Sequence, residues 1–367
     1  MRRALTAVAC AAALLLAGCG SDDPAASPRP SGPPTTTAPS SSEAHPVPPP
    51  TESSVGPDPA PTPERPPKPR QRDVLAISVD GLNTRALDGL GPDSAFGRLF
   101  VEGAATLNAR TEVEQTITLP NHAGMFTGRR IDADEGGHGV TWNDELPGRT
   151  VPGPDGQGVS SVFDVVHDAG GTTALFAGKD KFATFDRSWP EAIDEFDVDA
   201  NADALVDEAI SDLTTAQRRF TFLHLALPDV AGHASGWMSP TYLVAVADAD
   251  RLLGELLDTV DATPRLSKRL VVVLTADHGG PPGEKDHSDA GDVEDYRIPF
   301  VLWGRGIRPA DLYQLNPDYA DPGTGQPAYG GPQPVRNGDL ANLVTELLGL
   351  GPVPGSELDA AQTLDWN

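Results

Sequence analysis

The chain has 367 residues and a formal net charge of −26. That length accommodates one large or two ordinary domains, and the charge argues against a basic surface for non-specific nucleic-acid binding. A nucleotide substrate stays open, because bound cations can supply positive charge locally.

Arg2 and Arg3 followed by the apolar run Ala4 to Ala17 read as a secretory signal over residues 1–18. The run is too short for a membrane span. Its end, Leu16-Ala17-Gly18-Cys19, resembles a bacterial lipobox. That resemblance implies cleavage before Cys19, lipidation of Cys19, and anchoring at the extracytoplasmic face of a bacterial cell membrane. The other cysteine, Cys10, would leave with the signal, so the folded part has no disulfide, thiol nucleophile or thiolate metal site. Residues 19–72 are rich in Pro, Ser, Thr and Ala, as in Pro48-Pro49-Pro50, and read as an extended tether. A catalytic domain is expected over 73–367.

The domain opens with Asp73-Val74-Leu75-Ala76-Ile77-Ser78-Val79, an apolar run that suits a buried parallel strand. Asp80 falls at its C-terminal edge, where open α/β sheets place ligands, although Asp before Gly-Leu-Asn also suits a helix cap. Val101 to Thr111 reads as strand and turn. In Thr118-Leu119-Pro120-Asn121-His122 the proline is compatible with a first helical turn. Thr118 then sits at a helix N-terminus, where free N–H groups and a partial positive charge suit attack on an anion. A hydroxyl needs a base or a metal for that role. Thr116 is a second hydroxyl nearby, and His122 is expected to orient local structure. Val162 to Val166 reads as helix and Thr172 to Gly178 as strand. Lys179 and Lys181 follow, as phosphate contacts or as solvated loop lysines.

Asp203 to Leu213 has helical periodicity, and Phe220 to Leu227 reads as a buried strand in which His224 is a satisfied core histidine. Asp229 and His233 come next, spaced so that one turn of backbone lets both face one metal. Pro240 to Val260 is an amphipathic helix. Arg269 to Thr275 is a strongly apolar strand ending in Asp277-His278-Gly279-Gly280, where glycines free the backbone at the sheet edge. Arg297 to Trp303 is a further strand and Asp339 to Leu348 a helix. The alternation predicts an α/β fold with a doubly wound sheet. Loops such as 141–157 and 311–334 have no predictable placement.

Two segments, Thr118 to His122 and His138-Gly139-Val140-Thr141-Trp142-Asn143, resemble the nucleotide pyrophosphatase/phosphodiesterase branch of the alkaline phosphatase superfamily. That branch carries Thr-(aromatic or aliphatic)-Pro-Asn-His and then His-Gly-(Ile/Val)-x-x-Asn. The resemblance runs from about Asp73 to the C-terminus. It implies an alkaline phosphatase-like, mostly parallel sheet flanked by helices, and two divalent metal ions. One ion would take Asp80, Thr118, Asp277 and His278, and the other Asp229, His233 and His287. The family plan needs a further histidine downstream, and His287 is the histidine that follows His278; Asp286 and Asp289 are fallbacks. Its short spacing departs from larger relatives and implies a compact enzyme. The donor set suits zinc and is compatible with manganese or iron. The resemblance further implies a phosphothreonine intermediate on Thr118, with Asn143 and nearby N–H groups holding the non-bridging oxygens. The expected substrate is a small-molecule phosphate ester or nucleotide, cleaved as by a phosphodiesterase or nucleotide pyrophosphatase. Phosphomonoesterase and phosphonate hydrolase are the alternatives, and a non-catalytic surface-binding protein is a third. The Cys/Ser-x-Pro-x-Arg segment of sulfatases is missing.

Overall fold

The computed structural model describes residues 71–367. The signal, Cys19 and all of the tether before Gln71 lie outside the described residues. The strands are β1 (Asp73–Val79), β2 (Ala104–Arg110), β3 (Thr173–Ala177), β4 (Glu195–Val198), β5 (Phe220–Leu225), β6 (Leu270–Thr275), β7 (Arg297–Gly304) and β8 (Ala310–Asp311). The helices are α1 (Ala95–Glu102), α2 (Thr118–Thr127), α3 (Val162–Asp168), α4 (Ala183–Ser188), α5 (Ala202–Thr215), α6 (Leu227–Ser235), α7 (Pro240–Ala262), α8 (Pro264–Arg269), α9 (Val293–Tyr296), α10 (Leu312–Leu315) and α11 (Leu340–Leu347).

The eight strands form one sheet in the order β4-β3-β5-β1-β6-β7-β2-β8. β7 runs antiparallel to both its neighbours, and the other pairings are parallel. The central strands β5, β1 and β6 are buried along their whole length, which explains their unbroken apolar sequences. Val79 pairs with Leu225, and Ser78 with Thr275. The residues that follow these three strands therefore leave the sheet at one common edge.

Helix α2 is buried at all ten positions and ends in Gly128, whose φ of 63° allows the left-handed cap that a β-carbon would strain. Its Phe126 meets Phe222 of β5 at 4.6 Å between ring centroids, and Phe163 of α3 meets Phe220 at 5.1 Å. Helix α7 begins with Ser239 accepting from the Tyr242 N–H and with Pro240 in its first turn. Its buried stripe recurs every three or four residues, from Tyr242 through Ala249, Leu253 and Leu256 to Val260.

Two expectations are corrected. Val101 belongs to α1, and the strand starts at Ala104, because Ser94 caps a turn whose Ala95, Phe96 and Leu99 are buried at helical spacing. The strand expected to reach Leu227 stops at Leu225, and Pro228 in the first turn opens α6. Asp229 and His233 accordingly lie on one face of a helix. The segment 316–335 folds back over β2, where the buried Arg110 donates to the carbonyls of Gly323 and Gly325, and Arg336 to that of Pro327.

Candidate active site

The shared edge of β1, β5 and β6 brings three buried carboxylates together. Asp80 follows β1, Asp229 lies in the first turn of α6, and Asp277 follows β6. His278 Nε2 lies 3.3 Å from Asp80 Oδ1, 3.4 Å from Asp277 Oδ2 and 3.8 Å from Asp229 Oδ1. On the other side, Asp229 Oδ1 lies 3.3 Å from His233 Nε2 and 3.7 Å from His287 Nε2, with the two imidazole nitrogens 3.2 Å apart. The rings of His278 and His287 stack at 3.6 Å.

A metal is tested by what these atoms lack. Asp80 Oδ1, Asp229 Oδ1, Asp277 Oδ2 and His278 Nε2 are buried without a hydrogen-bond partner among the described residues. Buried polar atoms are normally satisfied, and here the unsatisfied ones converge. Asp80, Asp277 and His278 form one potential ligand group and Asp229, His278 and His287 a second. The donors are carboxylate and imidazole, which fits a divalent ion such as zinc. His278 reaches both groups, whereas the family resemblance assigns it to one.

Thr118 is the first residue of α2 and is buried. His122 Nδ1 lies 2.8 Å from the Thr118 carbonyl and its Nε2 2.9 Å from Ser78 Oγ. His122 thus fastens the first turn of α2 to β1. Asn143 accepts from the Leu119 N–H at 3.0 Å, so its carboxamide covers the N–H next to Thr118. The Thr116 hydroxyl donates to the His287 carbonyl, and His287 Nδ1 lies 2.7 Å from the Thr116 carbonyl. Thr116 is therefore engaged in placing His287.

These buried charges act on one another. Burial, reinforced by Asp80, pushes Asp277 up to about 7. Burial disfavours protonated His278, but Asp277 and Asp80 raise it to about 9. Burial and the His278 charge bring His287 down to about 3. Lys179 is no solvated loop lysine: Nζ lies 2.6 Å from Asp80 Oδ2 and 2.5 Å from Asp229 Oδ2. Those ion pairs engage its ammonium away from the phosphate contact the sequence reading considered. His224 Nε2 donates to Asp80 Oδ2 at 2.8 Å, because the Gly178 N–H occupies its Nδ1. It orients a site carboxylate, which its place inside an apolar strand did not reveal. Lys181 is half-buried, and burial followed by the Lys179 charge lowers its pKa.

Trp237 is the residue that sequence reasoning missed. It is fully buried and donates from Nε1 to the Gly81 carbonyl at 2.9 Å, next to Asp80. Its ring lies 5.3 Å from those of both His233 and His287. A β-carbon on Gly280 would stand 2.2 Å from this ring, and one on Gly232 2.7 Å. The two glycines beside His278 and His233 thus exist to admit one indole. They were visible in the sequence; their common partner was not.

Residues 74–324 match the family described as type I phosphodiesterase/nucleotide pyrophosphatase. Over 145 residues the chain is 26% identical to GPI ethanolamine phosphate transferase 1 of Yarrowia lipolytica; the alignment takes in 39% of this chain and 15% of that protein. Murine ectonucleotide pyrophosphatase/phosphodiesterase 5 is similar in structure with a TM-score of 0.58 and 16% identity, over 80% of this chain and 100% of that one. Lipoteichoic acid synthase LtaP from Listeria monocytogenes gives 0.55 and 16%, over 81% and 77%. A 2-O GAG sulfatase gives 0.60 and 15%, over 80% and 74%. At these identities the structural likeness establishes the α/β fold alone.

Proposed function

The chain belongs to the type I phosphodiesterase/nucleotide pyrophosphatase family, and on that premise we propose that it hydrolyses phosphodiesters or nucleotide pyrophosphates through Thr118. The observation that carries the reading is the convergence of four buried, unpartnered ligand atoms from Asp80, Asp229, Asp277 and His278. Two divalent ions, zinc by donor type, held by Asp80, Asp277 and His278 and by Asp229, His233 and His287, would supply Lewis acidity to the displacement. Thr118 Oγ1 loses its proton to solvent and bonds to phosphorus while the ester oxygen leaves and takes a proton from water. Water then displaces Oγ1 and releases the phosphate product. The side chain of His233 is 48% exposed, so water reaches the site.

Asn143 has its carbonyl oxygen on the Leu119 N–H, and its amide is left to donate to a non-bridging oxygen. A diester brings one negative charge, a monoester close to two. Lys179 is committed to Asp80 and Asp229. Lys181 is then the nearby cation offered to substrate, which favours the diester. An inactive Thr→Ala form of the murine relative was solved with AMP, which supports a nucleotide as one class of substrate. The proposal includes attachment at Cys19 to the extracytoplasmic face of a bacterial membrane, resting on the sequence alone. No helix among the described residues is long and apolar enough to cross a membrane.

The test compares a nitrophenyl nucleotide diester with nitrophenyl phosphate on the zinc-loaded protein. Preferential turnover of the diester is expected. Preference for the monoester would overturn the reading in favour of a phosphatase.

A further inference from the structure

Lys179 is delivered into the site by a close join beyond the ends of β3 and β5. Gly178, just past β3, donates from its N–H to the carbonyl and Nδ1 of His224 on β5. A β-carbon on Gly178 would stand 2.9 Å from Ala226 Cβ. The next residue therefore projects between the ends of β1 and α6. Its ammonium touches Asp80 Oδ2 and Asp229 Oδ2, and its side chain is 16% exposed. Asp80 Oδ2 also receives His224. In both carboxylates the other oxygen, Oδ1, has no hydrogen-bond partner among the described residues and faces a histidine nitrogen at 3.3 Å. Lys179 thus grips the outer oxygen of one carboxylate from each ligand group and leaves the inner oxygen of each facing His278.

Three buried carboxylates crowded together are strongly unfavourable without cations. Two divalent ions would offset them. We infer that Lys179 is a built-in counter-ion that keeps the site folded and its carboxylates aimed when metal is absent, and that it weakens metal binding in return. The second half follows from charge, because a fixed ammonium against two ligand carboxylates repels the incoming dication. A lysine suits the role, since its compact ammonium on a flexible stem can bridge two oxygens that do not match a guanidinium fork. The inference rests on the two-metal reading of the site and is independent of the substrate.

The experiment uses the full chain and its Lys179→Met and Lys179→Arg variants, each stripped by chelator and each saturated with zinc. Thermal unfolding and zinc competition against a fluorescent chelator are the readouts, so turnover is not involved. Without metal, Lys179→Met is expected to melt lower by on the order of 10 °C. With zinc the gap closes, and the variant holds zinc about tenfold more tightly or better. Lys179→Arg, which keeps the charge but not the fit, is expected to melt between the parent and Lys179→Met without metal and to hold zinc no more tightly than the parent. A metal-free Lys179→Met as stable as the parent overturns the inference. So does unchanged or weaker zinc binding, or a variant that zinc does not restore to the folded state. Failure of the parent itself to bind zinc or manganese would overturn the metal centre, and this is visible before any variant is compared.

Discussion

Glu112 supplies a pH dependence that can be worked from the structure. It lies just beyond β2, fully buried, against α2: its N–H donates to Asn121 Oδ1, and its Oε1 fills the space left by Gly124 and Gly338. The Tyr329 hydroxyl lies between Glu112 Oε2 and Glu114 Oε2. One hydroxyl proton cannot serve two carboxylates. A proton on Glu112 completes the chain, with Glu112 donating to Tyr329 and Tyr329 to Glu114. Burial, with Glu114 adding to it, pushes Glu112 from 4.5 up to about 8. The folded state therefore holds a proton that the unfolded state has lost, and stability falls as pH rises from about 4.5 to about 8. At about 1.4 kcal/mol per pH unit, this one group costs on the order of 4 kcal/mol by pH 8. Glu112→Gln keeps a donor for Tyr329 and cannot ionise. It should match the parent at pH 5 and exceed it by about 2–4 kcal/mol at pH 8.5. Urea unfolding of the two proteins across that range gives the difference, in which the other titrating groups cancel. A difference that is flat with pH, or a variant less stable at pH 8.5, would refute the reasoning.

Thr118→Ala should abolish turnover while zinc content, read by metal analysis, stays at the parent level; residual turnover would remove Thr118 from the nucleophile role. Trp237→Phe loses the bond to the Gly81 carbonyl and leaves a gap between Gly232 and Gly280. It should cost about 2 kcal/mol by denaturant unfolding and weaken zinc binding, and an unchanged zinc affinity would reduce the indole to ordinary packing. Asn143→Ala should lower kcat on the order of a hundredfold with zinc affinity unmoved, since it removes a donor to the developing charge. Lys181→Ala should raise KM more than it lowers kcat, as expected for a contact to a charge already present in the ground state.

The ends of β1 and β6 were legible because buried parallel strands have unbroken apolar sequences, so Asp80 and Asp277-His278 could be placed at the sheet edge from local pattern alone. Thr118 was legible in the same way, since the proline two residues on marks a helical first turn. Leu227 and Val101 were misassigned because short helices and strands share apolar runs, and the cap at Ser94 and the turn at Pro228 were the only local signals. The sequence by itself thus determined which residues stand at the edge and, through the family resemblance, which are the candidates to bind metal or attack phosphorus. Only the tertiary structure decided what holds them. Lys179 meets Asp229 across 50 residues, His224 meets Asp80 across 144, and Trp237 meets Gly81 across 156. A lysine in a loop, a histidine in a strand and a tryptophan after a helix carry no local mark of such roles, because each role is a property of partners that the sheet brings together.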